Sequence, residues 1–231
     1  MDKRLLFSVG HSNQSIEEFF QLLESQRIDC ILDVRSMPYS KYTPQFNEEP
    51  LKVWLNQHGI LYVPFGKHFG ARRFDCLQKI SSKESKSQVN FELGVTTPDF
   101  LSGVERLNKA LDQNRRVSLM CSEADPLGCH RFSFISRFFY DLGWNVQHII
   151  RDENTGKPII RSHKELEMAM ILDFVKRKKL KSVGDQMGNS LFSDFGDGYD
   201  EKQQRIDAYR LKNHEIGWIP EYDNNGNNED Y

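Results

Sequence analysis

Residues 117 to 150 read Val-Ser-Leu-Met-Cys-Ser-Glu-Ala-Asp-Pro-Leu-Gly-Cys-His-Arg-Phe-Ser-Phe-Ile-Ser-Arg-Phe-Phe-Tyr-Asp-Leu-Gly-Trp-Asn-Val-Gln-His-Ile-Ile. Val117–Cys121 is an apolar run of strand length, and apolar residues then recur at helical spacing from residue 132 to 139, before Gly143. Residues 146 to 150 form a second run of strand length. Because parallel neighbours need a crossover connection, this strand–helix–strand order predicts two parallel strands of one sheet.

The same alternation is found on the N-terminal side of this unit. Apolar runs of strand length occupy residues 5 to 9, 30 to 34 and 60 to 65. Helical patterns separate them: Ser15 and Glu18 form a capping box at the start of the first, and residues 50 to 58 and 98 to 111 form two more. The alternation predicts an α/β fold with a mostly parallel open sheet of about five strands and helices on both faces.

The chain changes character after the last predicted strand. Residues 162 to 178 are predicted to form a helix with four residues as its apolar face: Leu166, Met170, Leu172 and Val175. Beyond it, residues 190 to 199 and 223 to 231 are polar and rich in turn-forming residues. We therefore expect an α/β domain over residues 1 to 180 and a partly disordered C-terminal extension over residues 181 to 231, which buries little apolar surface from about residue 190 onward.

The composition limits the partners and the compartment. The 231 residues are 38% apolar and 28% charged with a formal net charge of -2, so any anion-binding site must be local. The first apolar run is too short for a signal peptide or a membrane span. We therefore expect a cytoplasmic protein without a membrane partner, whose four cysteines are free thiols.

Reactive side chains follow the ends of three predicted strands. They are His11 and Ser12 after the first, Asp33, Arg35 and Ser36 at the second, and Cys121 and Glu123 at the fourth. Ligands of open parallel sheets bind beyond the carboxyl ends of the strands, so these side chains should share one concave site. Cys129, His130 and Arg131 lie at the far end of the loop that leaves the fourth strand. Tyr39 and Ser40 add hydroxyl groups in the loop after the second strand.

The loop that follows Cys121 allows three interpretations. If a helix begins near Cys129, the free backbone amides at its start and the Arg131 guanidinium stabilise a thiolate and can hold an anion. Alternatively, both cysteines are small buried residues that only fill space. The third interpretation is a zinc or iron site, with ligands drawn from Cys121, Cys129, His130 and His11. Against it, the Cys-x-x-Cys spacing is missing, and chelation by the adjacent Cys129 and His130 is awkward.

Several motifs of the chain resemble those of a known family. They are, in order, Gly10-His-Ser12, Ser15-x-x-x-Phe19, Asp33-Val-Arg-Ser-x-Pro-x-Ser40, Phe46-Asn47, Gly59-Ile-x-Tyr62, Met120-Cys-x-Glu-x-x-Pro-x-x-Cys-His-Arg131 and Val146-x-His148-Ile. Together, over residues 5 to 150, they resemble the family of domain of unknown function 488. The resemblance implies a compact α/β domain with these motifs at its site, and no established reaction. The chain departs from the family at Phe69-Gly-Ala71, where the family shows Leu-Gly-Gly.

Our leading hypothesis is an enzyme, a hydrolase or transferase, acting on a small anionic substrate that is nucleotide-derived or part of a nucleic acid. The catalytic set comprises Cys121 or Cys129 as nucleophile, His130 or Glu123 as acid or base, and Asp33 as an orienting group. The substrate- and anion-binding set comprises His11, Ser12, Arg35, Ser36, Tyr39, Ser40 and Arg131. The alternatives are a non-catalytic nucleotide- or nucleic-acid-binding module and a metalloprotein with Cys and His ligands.

Overall fold

The computed structural model describes residues 4–80, 86–182 and 200–221. The strands in these ranges are β1 (Leu5–Gly10), β2 (Cys30–Asp33), β3 (Leu61–Pro64), β4 (Leu77–Lys79), β5 (Ser87–Val89), β6 (Val117–Cys121), β7 (Asn145–Arg151) and β8 (Pro158–Ser162). Six of them form one sheet in the order β3-β2-β6-β1-β7-β8. All neighbours in it are parallel except β7 and β8, which are antiparallel. The predicted α/β fold with a mostly parallel open sheet is confirmed.

Two features of the strands lie outside the sequence prediction. β8 is an additional edge strand that begins at Pro158 and contains only Ile159 and Ile160 as apolar residues, too short a run for prediction. β4 and β5 form a separate two-stranded antiparallel hairpin of three-residue strands. These strands form because neighbouring segments supply hydrogen-bond partners, which a local apolar pattern does not show.

The five predicted helices are present in the predicted order, together with three further helices among the described residues that were not predicted. They are α1 (Ile16–Ser25), α2 (Glu48–Gln57), α3 (Gly66–Phe69), α4 (Phe91–Gly94), α5 (Pro98–Asp112), α6 (Arg137–Asp141), α7 (His163–Lys176) and α8 (Glu201–Ile216). The capping box is confirmed: Glu18 N–H donates to Ser15 Oγ at 3.1 Å, and Ser15 N–H donates to Glu18 Oε2 at 2.9 Å. Gly143 follows α6 with φ of 84°, a conformation that suits glycine after a helix end. None of the helices in the described ranges is long and apolar enough to cross a membrane.

The sheet separates two apolar layers. α1 and α2 pack on one face, where Phe19 and Leu55 are fully buried, whereas α5 and α6 pack on the other with Phe100 and Phe139. The chain therefore leaves β1 and β2 toward one face and β6 toward the opposite face. Connections that leave neighbouring strands toward opposite faces open a crevice at the carboxyl edge of a parallel sheet. Such a crevice lies between the ends of β2 and β6, next to Cys121.

The C-terminal extension contributes to the core. α8 packs on α7, and its Tyr209 and Ala208 are 1% and 0% exposed against Phe132, Met170 and Phe174. The expectation that the extension buries little apolar surface is therefore wrong for this helix, because one aromatic residue fills a gap that only the folded core creates. Residues 190 to 199 and 223 to 231, expected to be disordered, lie outside the described residues.

The predicted apolar face of α7 needs one correction. Leu172 is 56% exposed, whereas Phe174 is fully buried in the contact with α8. Met170 and Leu166 are buried as predicted. The predicted apolar face of α7 included Leu172 instead of Phe174, because the helical pattern alone does not show which side of α7 packs against α8.

Candidate active site

A buried ion pair lies at the carboxyl end of β2. Arg35 Nη2 is 2.5 Å from Asp33 Oδ2, and Arg35 Nε donates to both carboxylate oxygens at 2.9 and 3.1 Å. The Tyr62 hydroxyl of β3 donates to Asp33 Oδ2 at 2.6 Å. Burial alone would lower the pKa of Arg35, but the hydrogen bonds and charge of Asp33 raise it. Burial, followed by the charge of Asp33, raises the pKa of Tyr62, so both groups remain donors to the carboxylate.

His11 completes this network beyond β1. Its Nδ1 lies 2.7 Å from the Ser12 carbonyl oxygen, which requires a proton on Nδ1. Nε2 is then the acceptor for Arg35 Nη1 at 3.1 Å. The imidazole also stacks on Phe46 with the ring centroids 4.3 Å apart. Burial and then the Arg35 charge lower the pKa of His11 to about 4, so it is neutral at pH 7 and orients the guanidinium.

Two thiols and one imidazole meet at the end of β6. Cys121 Sγ and Cys129 Sγ lie 3.8 and 3.6 Å from Nδ1 of His130. We call Cys121, Cys129 and His130 the Cys–Cys–His cluster. The other ring nitrogen, Nε2, lies 3.2 Å from the Val34 carbonyl oxygen and must donate to it. In the neutral ring, the Nδ1 lone pair therefore faces both sulfur atoms.

The two thiols differ in their ionisation. A hydrogen bond to Cys129, together with burial, raises the pKa of Cys121 well above its usual value. Burial opposes ionisation of Cys129 as well, but the hydrogen bond from Cys121 and the charge of Arg131 lower its pKa well below the usual value. Cys129 is therefore the more acidic thiol of the pair. By contrast, burial raises the pKa of Cys30 and of Cys76 to about 11.

The helix after the loop is irregular. A 3-10 turn, Pro126–Gly128, precedes Cys129, and Arg131–Ser136 then forms a π-helix before α6. The helix expected near Cys129 is therefore present, but it begins at Arg131 and its first turns are π-helical. The predicted contact with a free amide is present, since Arg131 N–H donates to Cys129 Sγ at 3.5 Å. Short π-helical turns occur frequently at functional sites.

Arg131 holds the loop in place. It is 0% exposed, and its Nη1 and Nη2 donate to the carbonyl oxygens of Glu123 and Ala124 at 2.6 and 2.9 Å. Both terminal nitrogens of Arg131 therefore donate to backbone oxygens of the loop. The predicted role of Arg131 in holding an anion stays a prediction. Gly10 lies against the same segment: a Cβ atom there would be 1.8 Å from the Glu123 carbonyl oxygen. Only glycine permits this approach of β1 to the loop.

A cleft of about 240 Å³ adjoins the cluster. Six of the predicted site residues line it: Arg35, Ser36, Cys121, Glu123, Cys129 and His130. Asp33 and His11 are buried behind Arg35 and bind its guanidinium. The structure thus brings together the central part of the predicted site, between the ends of β2 and β6.

Three predicted residues lie away from this cleft. Ser12, with a positive φ of 50°, lines a different cavity of about 740 Å³ beside β7. Tyr39 is 65% exposed on the surface. Ser40 Oγ accepts the backbone N–H groups of Tyr42 and Thr43 and so stabilises a turn. For Tyr39 and Ser40 the reason is that the loop after β2 leaves the cleft after Met37, which the order of residues does not show.

Several contributors to the site were not among the predicted site residues. Tyr62 anchors Asp33, and the Val34 carbonyl fixes the ring of His130. Arg72 and Ile216 line the cleft, the latter from the last turn of α8. Three of them had a signal in the sequence: Tyr62 belongs to the Gly59-Ile-x-Tyr62 motif, Val34 to the Asp33-Val-Arg motif, and Arg72 to a segment rich in cations and glycine, residues 67 to 73, of a composition that can hold phosphate. Ile216 had none, because the approach of α8 depends on the complete fold.

The fold and the site define a class: an α/β domain with a sulfur, imidazole and guanidinium site at the carboxyl edge of a parallel sheet. Residues 15–137, more than half of the 231, match the profile of the family described as domain of unknown function DUF488. The chain therefore belongs to this family, as the resemblance indicated. No curated protein and no solved structure matches the chain.

Proposed function

We propose that the chain is an enzyme, a hydrolase or a transferase, that acts on a small anionic substrate bound in the cleft. The observation that carries the proposal is the position of Arg35, which lines the same cleft as the Cys–Cys–His cluster. An anion held by Arg35 would thus be next to the groups that supply a nucleophile and a proton acceptor. Glu123 lines the cleft as well and is available as an acid or base.

Arg35 retains capacity for an anion. A guanidinium has five N–H donors, and those of Arg35 that bind Asp33 and His11 leave one on Nη1 and one on Nη2 without an acceptor among the described residues. Hydrogen bonds from a guanidinium to an anionic oxygen are strong and directional. Arg72 adds a second cation to the cleft. Phosphate and carboxylate groups fit these donors.

The size of the cleft limits the substrate. Its volume of about 240 Å³ is below the range of roughly 300–1,000 Å³ of ordinary ligand pockets. A whole nucleotide would therefore extend out of it, with the phosphate inside and the base at the rim. A small phosphorylated or carboxylated molecule would fit completely.

The four cysteines are free thiols, which a reducing compartment maintains, and we propose the cytoplasm as the place of action.

Binding of an anion without catalysis would need only the guanidinium groups of Arg35 and Arg72. A non-catalytic module has no use for two thiols with perturbed pKa values next to an imidazole, and groups with perturbed pKa values concentrate at catalytic sites. This favours an enzyme over a binding module for nucleotides or nucleic acids.

Anion binding can be tested with inorganic phosphate and AMP in calorimetric titrations of the full chain. We expect Arg35→Lys, which keeps the charge but loses the fork of donors, to weaken binding by about tenfold or more. Arg72→Gln should weaken it less, and it remains informative if the buried Arg35→Lys variant folds poorly. Lys109→Gln is the control for loss of a charge, because Lys109 is exposed near the end of α5, at the opposite edge of the sheet. Equal binding by all four proteins would refute the proposal.

Catalysis is tested separately with a panel of phosphate monoesters, phosphate diesters and carboxylate esters. We expect turnover of at least one class, lost in Cys129→Ser and His130→Ala and kept in Cys76→Ser. Arg35-dependent phosphate binding without turnover of any class would favour the binding module and contradict the proposed enzyme.

A further inference from the structure

We infer that the Cys–Cys–His cluster binds one zinc ion, with Cys121 Sγ, Cys129 Sγ and His130 Nδ1 as ligands and a fourth position open to the cleft. The three donor atoms lie within 4.8 Å of one another, and each comes from a buried residue. This inference rests on the proposed function, from which it takes the class of substrate. It assigns the nucleophile to a zinc-bound water.

The distances agree with a tetrahedral zinc site. Zinc bonds of about 2.3 Å to sulfur and about 2.05 Å to nitrogen, at an angle of about 109°, place sulfur and nitrogen about 3.5 Å apart. The two sulfur atoms lie 3.8 and 3.6 Å from His130 Nδ1. Both sulfur–nitrogen distances are thus within a few tenths of an ångström of the tetrahedral value. Although Cys129 and His130 are adjacent in sequence, both donor atoms reach the same point, which removes the objection raised by their spacing.

The surroundings of the cluster are those of a metal ligand set. Histidine ligands usually donate their second ring nitrogen to an oxygen, which fixes the ring, and His130 Nε2 does so toward the Val34 carbonyl at 3.2 Å. Arg131 N–H donates to Cys129 Sγ at 3.5 Å and supports a thiolate there. Two thiolates, a neutral imidazole and Zn²⁺ have no net charge together, so the complete site can be buried without a large penalty.

The open side of the cluster gives the zinc a catalytic role. Cys121, Cys129 and His130 are 6%, 3% and 8% exposed, and all three line the 240 Å³ cleft, so solvent reaches the cluster from that side. Three protein ligands with an open fourth position characterise catalytic zinc sites, whereas structural sites have four protein ligands. Zinc lowers the pKa of a bound water to about 7.

The chemistry balances without a redox partner. The zinc-bound water loses a proton to Glu123, and the resulting hydroxide oxygen bonds to the phosphorus or carbonyl carbon of a substrate that Arg35 holds. The bond to the leaving oxygen breaks, and that oxygen takes the proton back from Glu123. The products are the acid and an alcohol, and zinc remains divalent throughout.

Metal binding is tested without any substrate. The full chain is stripped with a chelator, titrated with Zn²⁺ against a chromophoric competitor, and titrated with Co²⁺ in the absorption spectrometer. We expect one equivalent of each metal, with a tetrahedral cobalt spectrum that includes thiolate-to-cobalt charge transfer. We expect zinc affinity to fall by about 100-fold or more in each of three variants, Cys121→Ser, Cys129→Ser and His130→Ala. Removal of a group that only hydrogen-bonds to a metal ligand lowers affinity by about 10- to 100-fold, and removal of a ligand itself should cost at least as much.

Two further variants separate ligand loss from misfolding. Cys76→Ser removes a buried cysteine that does not line the cleft and should leave zinc affinity unchanged. His130→Cys should still bind Co²⁺, with stronger charge-transfer absorption, because a third thiolate replaces the imidazole. Equal losses in Cys76→Ser and Cys129→Ser would refute the inference. So would the absence of one tightly bound zinc, or binding of iron in its place.

Failure of this inference can be distinguished from failure of the proposed function. The phosphate titration is carried out on zinc-free protein and depends on Arg35, which is not a ligand. Loss of zinc binding with retained Arg35-dependent phosphate binding would overturn only the zinc site. Zinc binding without any phosphate binding would overturn only the anionic substrate.

Discussion

Replacement of Asp33 by asparagine tests the buried network that positions Arg35. The carboxylate accepts hydrogen bonds from Arg35 Nε and Nη2 and from the Tyr62 hydroxyl, and the Asp33 and Arg35 side chains are only 1% and 5% exposed. Asparagine keeps the shape and one acceptor oxygen. It removes the negative charge and turns an NH2 group toward groups that are themselves donors. Arg35 would then be a buried cation without a counterion.

The cost follows from the burial of the pair. Removal of one partner of a buried ion pair destabilises a protein by about 3–5 kcal/mol, and the remaining amide oxygen of asparagine should keep the loss near about 3 kcal/mol. Because each 1.4 kcal/mol corresponds to about a factor of ten, the unfolding equilibrium constant should rise more than about 100-fold. Arg35→Met should show a comparable loss. The double variant should be more stable than the sum of the single losses implies, since no unpaired charge remains.

Urea denaturation at pH 7, followed by circular dichroism, measures these differences. Glu49→Gln is the control, because the Glu49 and Lys52 side chains are 75% and 44% exposed at a separation of 3.5 Å. An exposed pair of this kind contributes about 0.5 kcal/mol or less. A loss below about 1 kcal/mol in Asp33→Asn, or strictly additive losses in the double variant, would refute the description of Asp33 and Arg35 as a coupled buried pair.

Three further predictions concern the rest of the fold. Tyr209→Phe should cost about 1–3 kcal/mol, because the hydroxyl lies 2.9 Å from His163 Nε2 and 2.7 Å from a Glu167 oxygen; equal urea midpoints for variant and wild type would contradict this. Burial lowers the pKa of His163 to about 3, whereas the unfolded state titrates near 6.5, so stability should be complete above pH 6.5 and fall as the pH is lowered toward 3. Urea midpoints that stay constant from pH 7 to pH 5 would show that no such histidine is buried neutral. Gly10→Ala should displace the loop and weaken phosphate binding, since its Cβ would lie 1.8 Å from a backbone oxygen; unchanged phosphate affinity would contradict this.

The sequence alone was sufficient for the features that depend on neighbours in the chain. The alternation of apolar periods predicts the five parallel strands and their crossovers, and the Ser15 capping box and Gly143 mark helix ends. The carboxyl-edge rule then predicts that Arg35 and Cys121 lie at the same edge of the sheet, because parallel strands all end at that edge. These inferences need only short-range preferences and one general rule of topology.

Only the tertiary structure decided which of these residues face the cleft and how they are paired. The order of strands places β6 beside β2, so His130 reaches the Val34 carbonyl across 96 positions of sequence. The packing of α8 on α7 brings Ile216 to the cleft, and Arg131 binds the carbonyl oxygen of Glu123 within the loop. Such contacts depend on side-chain packing between segments that are distant in the chain. No local period or spacing contains that information, because the energies that select the packing arise only when the whole core is assembled.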